Sequence, residues 1–471
     1  MALTQLTVIG LPLVLPSLVS AQAAWEYTPY QTRVWIASQA APQLPSGVLA
    51  SLQHSLPARI AATWSGVLQM QVAAAPAKLR CQILTNLDQL TAETLATAAA
   101  SSDLEADKIF LVALKCESGT FVADVREFDC LSRQFSPVVA RSASTISGLA
   151  IAVGDALGEA FTPLARIEYV DDRQLSARLR AGGLILNPES LANIEPGMVL
   201  RPVIRRNDRN GQPAKGGIQA VPWSYLTVDE RHDSTLECTL RSGFRAAIPA
   251  RGGIRIQRLA LLVRPRLDST RLVLRSRSDS KKPLAGYEVH RRLDGETQAT
   301  ELLGHTDSQG SLNILRQDKT ELDTLLVKNG QQMLARLPLV PGFEKSLTAY
   351  LVDDDGRLAA EGFVAALSSR VIDLVARREI LAAQIRAKVK DNKLDEAQKL
   401  LDDFRRLSTR ADLTRDLDQF RQQVATGDRT TQQRIDRVFA DAQRLILLKP
   451  LSDDLLAQLT REVSSARAGS E

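Results

Sequence analysis

The sequence predicts a multidomain α+β protein in which an N-terminal α/β domain, a small β-barrel, a β-sandwich and a C-terminal helical bundle follow one another. Three observations carry this expectation. At 471 residues the chain is too long for one compact core. Its 44% hydrophobic content is that of ordinary globular protein, which excludes wholesale disorder. Its apolar pattern also changes along its length, from mixed helix and strand periods, through short strands set off by glycine pairs, to a charged stretch with no glycine from Phe363 through Ala425.

Residues 1–23 read as a secretory signal peptide. Val8 to Val19 is almost wholly apolar, and Ala21-Gln22-Ala23 is a small-x-small cleavage site. Pro12 and Pro16 interrupt the run, which is short for a membrane span. It departs from the usual leader in having no Lys or Arg before Arg33. The expected location is therefore periplasmic or extracellular. No second apolar run of about twenty residues follows, so no transmembrane span is expected in the mature chain.

The α/β domain is expected over residues 25–165. Thr32 to Ala37 is a β-rich run, and Val48, Leu49, Leu52, Leu56 and Ile60 recur at helical spacing. Val67 to Val72 alternates like a half-buried strand, and a second helix is expected from Thr85 to Ala99. Lys108 to Leu114 is nearly all apolar, the mark of a central strand covered on both faces. Glu117-Ser118-Gly119 is a turn, Phe121 to Asp129 alternates again, and Phe135 to Arg141 returns as a strand. A closing helix carries Ile146, Leu149, Val153 and Leu157 on one stripe. This order, and above all KIFLVAL followed by FVADVREFDCLSRQFSPVVARS, resembles the N-terminal domain of the Tol translocation protein B. It is also similar to the curli secretion lipoprotein and the flagellar assembly protein T. The resemblance covers about 130 residues by pattern, and implies a periplasmic docking domain with no catalytic residues to carry over.

A small β-barrel is expected over residues 166–267. Arg166 to Val170, Gln174 to Arg180, Met198 to Arg205, Tyr225 to Asp229, Ser234 to Leu240 and Ile254 to Val263 read as short strands. Gly182-Gly183, Asn210-Gly211, Gly216-Gly217 and Gly252-Gly253 punctuate them. The piece LRAGGLILNPESLANIEPGMVLRPVIRR, with its Pro196-Gly197 turn, resembles the C-terminal barrel of the same flagellar protein. Residues 268–367 form the expected sandwich, with Arg271 to Arg277 as a strand, a turn at Thr306 to Gly310 and a hairpin turn at Asn329-Gly330. There, PLAGYEV followed by GHTDSQGSLNI resembles the transthyretin-like or carboxypeptidase regulatory-like domain, which implies an immunoglobulin-like sandwich.

Residues 368–471 are expected to be helical. Ile372, Val375, Ile380, Ile385 and Val389 fit an amphipathic helix, broken at Asp391-Asn392-Lys393. DNKLDEAQKLLDDF resembles one helical hairpin of the tetratricopeptide sort. Further helices are expected from Leu413 to Val424, Thr430 to Leu447 and Asp453 to Ser465.

No motif announces catalysis. Histidines 54, 232, 290 and 305 are far apart and form no HExxH, and the chain has no nucleophile elbow, Walker loop or dinucleotide fingerprint. Ser278 to Lys281 is an SxxK, but Pro283 follows between two strands, where that motif needs a helix N-terminus. Asn207 to Gly211 and Asp353 to Gly356 invite calcium. In the ligand register of a calcium loop, however, Arg206 and Leu351 fall at the first position, so both read as turns. Cys81, Cys116, Cys130 and Cys238 have no metal spacing. In an oxidising compartment they allow three full pairings, and small buried thiols are the plainer reading. Thus no metal, no cofactor and no catalytic residue is expected.

The net charge of +5 is mild, and aromatics at 4% are too sparse for a sugar- or base-stacking surface, so no nucleic acid is expected as partner. The charge is uneven, with 18 Lys and Arg against 7 Asp and Glu between Arg201 and Lys282. Alternate arginines on a strand share a face, so Arg264 and Arg266, with Arg275 and Arg277, are the candidate face for an anionic partner. The reading that follows is an exported, non-enzymatic envelope scaffold. Its partners are other envelope proteins, or anionic envelope glycan or lipid headgroups, with self-assembly through the helical tail. A secreted hydrolase would instead need convergent His, Asp, Glu or Ser in a pocket, and a glycan- or small-ligand-binding protein a concave apolar site.

Overall fold

A computed structural model describes residues 24–64, 66–245, 247–250, 253, 255–293, 299–317, 321–448, 451 and 454–468. The expected signal peptide lies outside the described residues. The first module runs β1 (Tyr30–Ser38), α1 (Val48–Trp64), β2 (Leu68–Ala74), α2 (Ala77–Thr85), α3 (Ala92–Ala98), β3 (Lys108–Glu117), β4 (Thr120–Asp129), β5 (Gln134–Phe135), β6 (Val139–Ala143) and α4 (Ile146–Ala160). The sheet order is β2-β1-β3-β4-β5, with β6 also on β4. β1 pairs parallel with β2 and β3, and β3 antiparallel with β4.

The apolar run of β3 has the expected cause. Phe110, Val112 and Leu114 face a core built with α1 and α4, while Ile109, Leu111 and Ala113 face a second core built with α2 and α3. Two expectations are corrected here. The helix expected from Thr85 to Ala99 is shorter, because α2 lies before it and ends at Thr85, a 3-10 turn covers Leu87–Gln89, and α3 starts afresh after Thr91, whose hydroxyl caps the N–H of Thr94. The strand expected from Phe135 to Arg141 is split into β5 and β6 around Pro137, which has no N–H to give to β4.

Beyond α4 come β7 (Leu164–Asp171), β8 (Gln174–Leu179), β9 (Val199–Asn207), β10 (Pro213–Ala220), β11 (Ser224–His232), β12 (Thr235–Ser242) and β13 (Ile256–Leu262). β9, β11, β12, β8, β7 and β13 close into a ring, since β9 pairs with both β11 and β13. Leu175, Ala177, Leu200, Leu226, Leu236, Cys238 and Ala260 fill it. β10 is an additional strand that the Gly-rich segment after Asn207 concealed. Gly182-Gly183 is more than punctuation: a Cβ on Gly183 would lie 2.4 Å from the Tyr27 ring. The glycine lets the N-terminal segment seat on the barrel. There the indole of Trp25 donates to the Arg178 carbonyl at 3.0 Å, with the guanidinium groups of Arg166 and Arg180 over its ring.

The sandwich comprises β14 (Ser269–Ser276), β15 (Glu288–Arg292), β16 (Thr300–His305), β17 (Ser311–Leu315), β18 (Asp323–Asn329), β19 (Gln332–Leu339) and β20 (Ser346–Leu351). These form sheets β17-β14-β20 and β16-β15-β18-β19 around Leu272, Leu274, Tyr287, Val289, Leu325 and Val327. In the Asp307 turn one carboxylate oxygen accepts the N–H groups of Gln309 and Ser311, both at 2.8 Å.

The helical region is α5 (Asp355–Lys390), α6 (Leu394–Arg405), α7 (Arg410–Gln423), α8 (Arg429–Leu448) and α9 (Asp454–Ala468). α5 therefore begins inside the segment expected for the sandwich, and residues 355–367 are helical. At 36 residues it is about 54 Å long. Its first half packs with α7 and α8 through Leu367, Val371, Leu413, Ile435 and Phe439. Its second half packs with α6 and α9 through Ile385, Leu401, Phe404 and Leu459. None of the described helices is long and apolar enough to cross a membrane.

The modules touch one another directly. Val199, Tyr225 and Val263 of the barrel pack on Val340. Arg201 pairs with Glu344 at 2.6 Å, and Arg205 donates to the Leu131 carbonyl at 2.8 Å. At the sandwich–helix joint the Asp354 N–H donates to the Tyr287 hydroxyl. Arg357 bonds both the Asp354 carboxylate, at 2.5 Å, and the Asn329 carbonyl, at 2.7 Å.

Candidate functional site

One end of the barrel is open, and β10 is the reason. β10 and β11 follow each other along β9 as two legs of one bent strand. Ile218 to Ala220 face Arg205 to Val203, and Leu226 and Thr227 face Leu200 and Val199. The corner is Val221-Pro222-Trp223, with Trp223 in the left-handed region at φ 49°. β12 covers β11 but stops at Ser242, where the Gly243 N–H donates to the Trp223 carbonyl at 3.0 Å and the chain turns away. The outer edge of β10 is therefore left without a strand among the described residues. Val221 donates to the Pro202 carbonyl at 2.9 Å, so by antiparallel alternation the amides of Ile218 and Ala220 face outward.

Between this edge and residues 247–250 lies a groove of about 520 Å³. Val170, Ile204, Val221 and Ile248, all buried, form its apolar floor, and Arg206, Arg245 and Asp172 stand on its rim. Arg209, Lys215 and Arg255 flank it on the β9–β10 hairpin and at the start of β13. These five cations are exposed and none is in an ion pair among the described residues. Arg178, by contrast, holds Glu26 at 2.7 Å and Glu168 at 3.0 Å.

A second constellation is fully buried. Lys108, 0% exposed, donates to Glu127 at 2.7 Å, to Asp129 at 3.0 Å and to the Thr162 carbonyl at 2.8 Å. Glu127 also accepts the Thr162 N–H at 2.8 Å and the Thr162 hydroxyl. Asp129 accepts the N–H and hydroxyl of Ser132 at 2.7 and 2.6 Å. Tyr30 and Phe161 lie against the ammonium, and the Tyr30 hydroxyl accepts the Leu164 N–H at 3.1 Å. Burial works against the Lys108 charge, but the two carboxylates more than offset it and hold its pKa above the ordinary lysine value. Burial raises Glu127 against the pull of Lys108, and pushes Tyr30 well above the usual phenol range. These groups are hydrogen-bonded to one another, and Lys108, Glu127 and Asp129 are each 0–1% exposed. Their geometry is that of a clasp joining the α4–β7 connection to the first sheet.

The expected basic face is corrected. Arg264 and Arg266 lie in the connection between β13 and β14 and on no strand. Arg264 donates to the carbonyls of Gly158 and, at 2.5 Å, Leu191, and Arg266 pairs with Glu159 at 3.0 Å. Both therefore serve the contact with the C-terminal turn of α4, whose carbonyls attract cations. Arg275 donates to the Lys281 carbonyl at 2.8 Å, and Arg277 lies within electrostatic reach of Asp428 on the helical side. Arg277 is exposed, and further exposed cations lie around Arg206 and Arg245. The regional charge excess pointed to this stretch without singling out those residues. Lys108, Glu127 and Asp129 were also missed, although charged residues in the apolar phase of β4 were a usable signal.

Among the described residues no group of three or more His, Cys, Asp and Glu converges. His232 and His290 contact Glu230 and Glu288 on their own strands. The Asp353 to Asp355 run is taken up by cations, since Lys282 contacts Asp353 and Asp355 and Arg357 holds Asp354. Ser278 to Lys281 is a loop in which the Lys281 N–H donates to Asp279. The four cysteines are free thiols, Cys81 exposed and Cys238 buried.

No protein-family model matches the chain, and no curated protein matches it. Among solved structures, TolB from Acinetobacter baumannii aligns over 68% of this chain and 96% of its own length, at 10% identity and a TM-score of 0.19. A likeness of that size carries no argument about this chain.

Proposed function

We propose that the chain is an exported, non-enzymatic envelope scaffold that docks partner proteins through its α/β and β modules and assembles through its helical tail. One observation carries the reading: the modules are riveted to one another by buried and ionic contacts, and a strand edge is left open beside unpaired cations. The Lys108 clasp, the Arg264 and Arg266 contacts with α4, and the Arg201–Glu344 pair give such a platform a fixed geometry. The apolar leader-like pattern of residues 1–23 supports export.

The test is fractionation of native cells with crosslinking of the tagged protein in place. Recovery from the envelope with one reproducible protein partner is the expected result. Recovery from the cytoplasm with residues 1–23 intact would overturn export, and recovery as a free species without partners would overturn the scaffold role.

A further inference from the structure

We propose that the groove at the open end of the barrel receives an extended, acidic segment of a partner protein, which adds a strand to the outer edge of β10. This rests on the docking reading above and names the kind of partner that surface fits. Four features converge on it. The outward amides of Ile218 and Ala220 have no strand to pair with among the described residues, and an incoming backbone satisfies them. The groove beside them is apolar at its floor and cationic at its rim. Ile204 and Arg206 stand on one face of β9, so the side chains that an added strand sends to that face run from the apolar floor at Ile204 and Ile248 to the cations Arg206 and Arg245 at the rim. Those arginines, with Arg209, Lys215 and Arg255, have no carboxylate partner of their own among the described residues.

Edge strands are often blunted by Pro, Lys or a bulge, and the first half of β10 carries all three: Pro213, Lys215 and a register shift between Pro213 and Ile218. Within that shift a Cβ on Gly217 would lie 2.6 Å from the Arg206 carbonyl, so glycine is needed to fold the extra residues against β9. The blunting ends there. Ile218 to Ala220 are in regular register, and they border the groove. A flat anionic surface such as a lipid headgroup layer reaches the rim arginines but leaves the apolar floor and the two amides unfilled. A strand whose groove-facing residues are apolar over the floor and acidic at the rim fills all three. Asp172 on the rim repels a carboxylate set beside it and so favours one placement of the acidic residues along the groove.

The test uses the full chain and a short fluorescein-labelled peptide in which Glu-Glu alternates with Val-Val, so that each face of the strand carries both residues, alongside a counterpart with Lys for Glu. Fluorescence anisotropy measures binding, and hydrogen exchange follows the Ile218 and Ala220 amides. The expected result is binding of the Glu peptide alone, slowed exchange at both amides, and an affinity lowered about tenfold or more in R206E/R245E. Both substituted side chains are exposed, so an unchanged thermal transition confirms that this variant is folded. Ala220→Pro removes one outward N–H and is expected to weaken binding without altering its salt dependence.

Binding that leaves both amides unprotected would overturn strand addition, as would equal competition by phosphatidylglycerol vesicles. Absence of peptide binding would overturn the proposal outright. The scaffold reading fails separately. If R206E/R245E still captures its partner in the envelope, that reading stands and the groove is not the docking site. If the unaltered chain captures nothing there, the scaffold reading falls whatever the peptide does.

Discussion

Replacing Lys108 by Met tests whether the buried clasp is a structural joint. The substitution keeps much of the side-chain volume and removes three donated hydrogen bonds, to Glu127, Asp129 and the Thr162 carbonyl. Glu127 keeps the Thr162 N–H and hydroxyl, and Asp129 Oδ1 keeps Ser132. Asp129 Oδ2 and the Thr162 carbonyl are left as orphans, each costing about 1–3 kcal/mol. Two carboxylates also lose the buried ammonium that they share, so the total loss is about 3–5 kcal/mol. Hydrogen exchange of the β3 amides as a function of urea measures it locally, which avoids assuming that a multidomain chain unfolds in one step. The triple variant Lys108→Met/Glu127→Gln/Asp129→Asn is expected to recover a large part of the loss, because it removes the stranded charges as well. A single-variant loss below about 1 kcal/mol would refute the reasoning, since that is the worth of a solvated pair.

The same clasp has a pH signature. The Lys108 pKa is higher folded than its unfolded value of 10.5, so its contribution is fully present below that pH and is lost as the pH rises through the folded value. The stability difference between wild type and Lys108→Met is therefore expected to stay level through neutral pH and to shrink only above 10.5. Arg357→Ala strands the fully buried Asp354 at the head of α5 and is expected to cost about 3 kcal/mol or more, read as faster exchange of the first amides of α5. Burial pushes the Cys238 thiol up to about 12, so iodoacetamide at neutral pH is expected to label the exposed Cys81 in the native protein and Cys238 only after unfolding, as mass mapping would show.

Much of the fold was legible because burial leaves a periodic trace. The six apolar positions from Ile109 to Leu114 of β3, and Leu149, Val153 and Leu157 of α4, report faces that do face cores, whereas Ile146 of the expected stripe is exposed. The misreadings have specific causes. Pro137 lies within an apolar run that looks continuous unless the missing N–H is weighed. β10 is hidden because Gly216-Gly217 lies in its bulge, while only Pro213 and Ile218 to Ala220 pair with β9. The start of α5 looked like a turn because Asp353 to Gly356 has turn composition. Gly356 is there for another reason: a Cβ on it would lie 2.9 Å from the Val424 carbonyl, where α7 ends. Arg264 and Arg266 of the expected basic face were misassigned because charge composition does not tell a paired cation from a free one. Arg264 and Arg266 are spent on α4, while Arg206 and Arg245 are left over.

The seating of Trp25 on the barrel bears on how the chain is put together in time. Trp25 meets Arg178 across 153 residues, and Tyr30 meets Leu164 across 134. A chain delivered N-terminus first presents β1 long before either contact can form, and the lid over Lys108 arrives only with Thr162. The first module is thus closed by residues that belong to the start of the second, and the two reach their final form as a single late event. Contacts of such span slow folding. During that interval the apolar edge of β1 and the unclasped ammonium stand open to whatever holds the emerging chain.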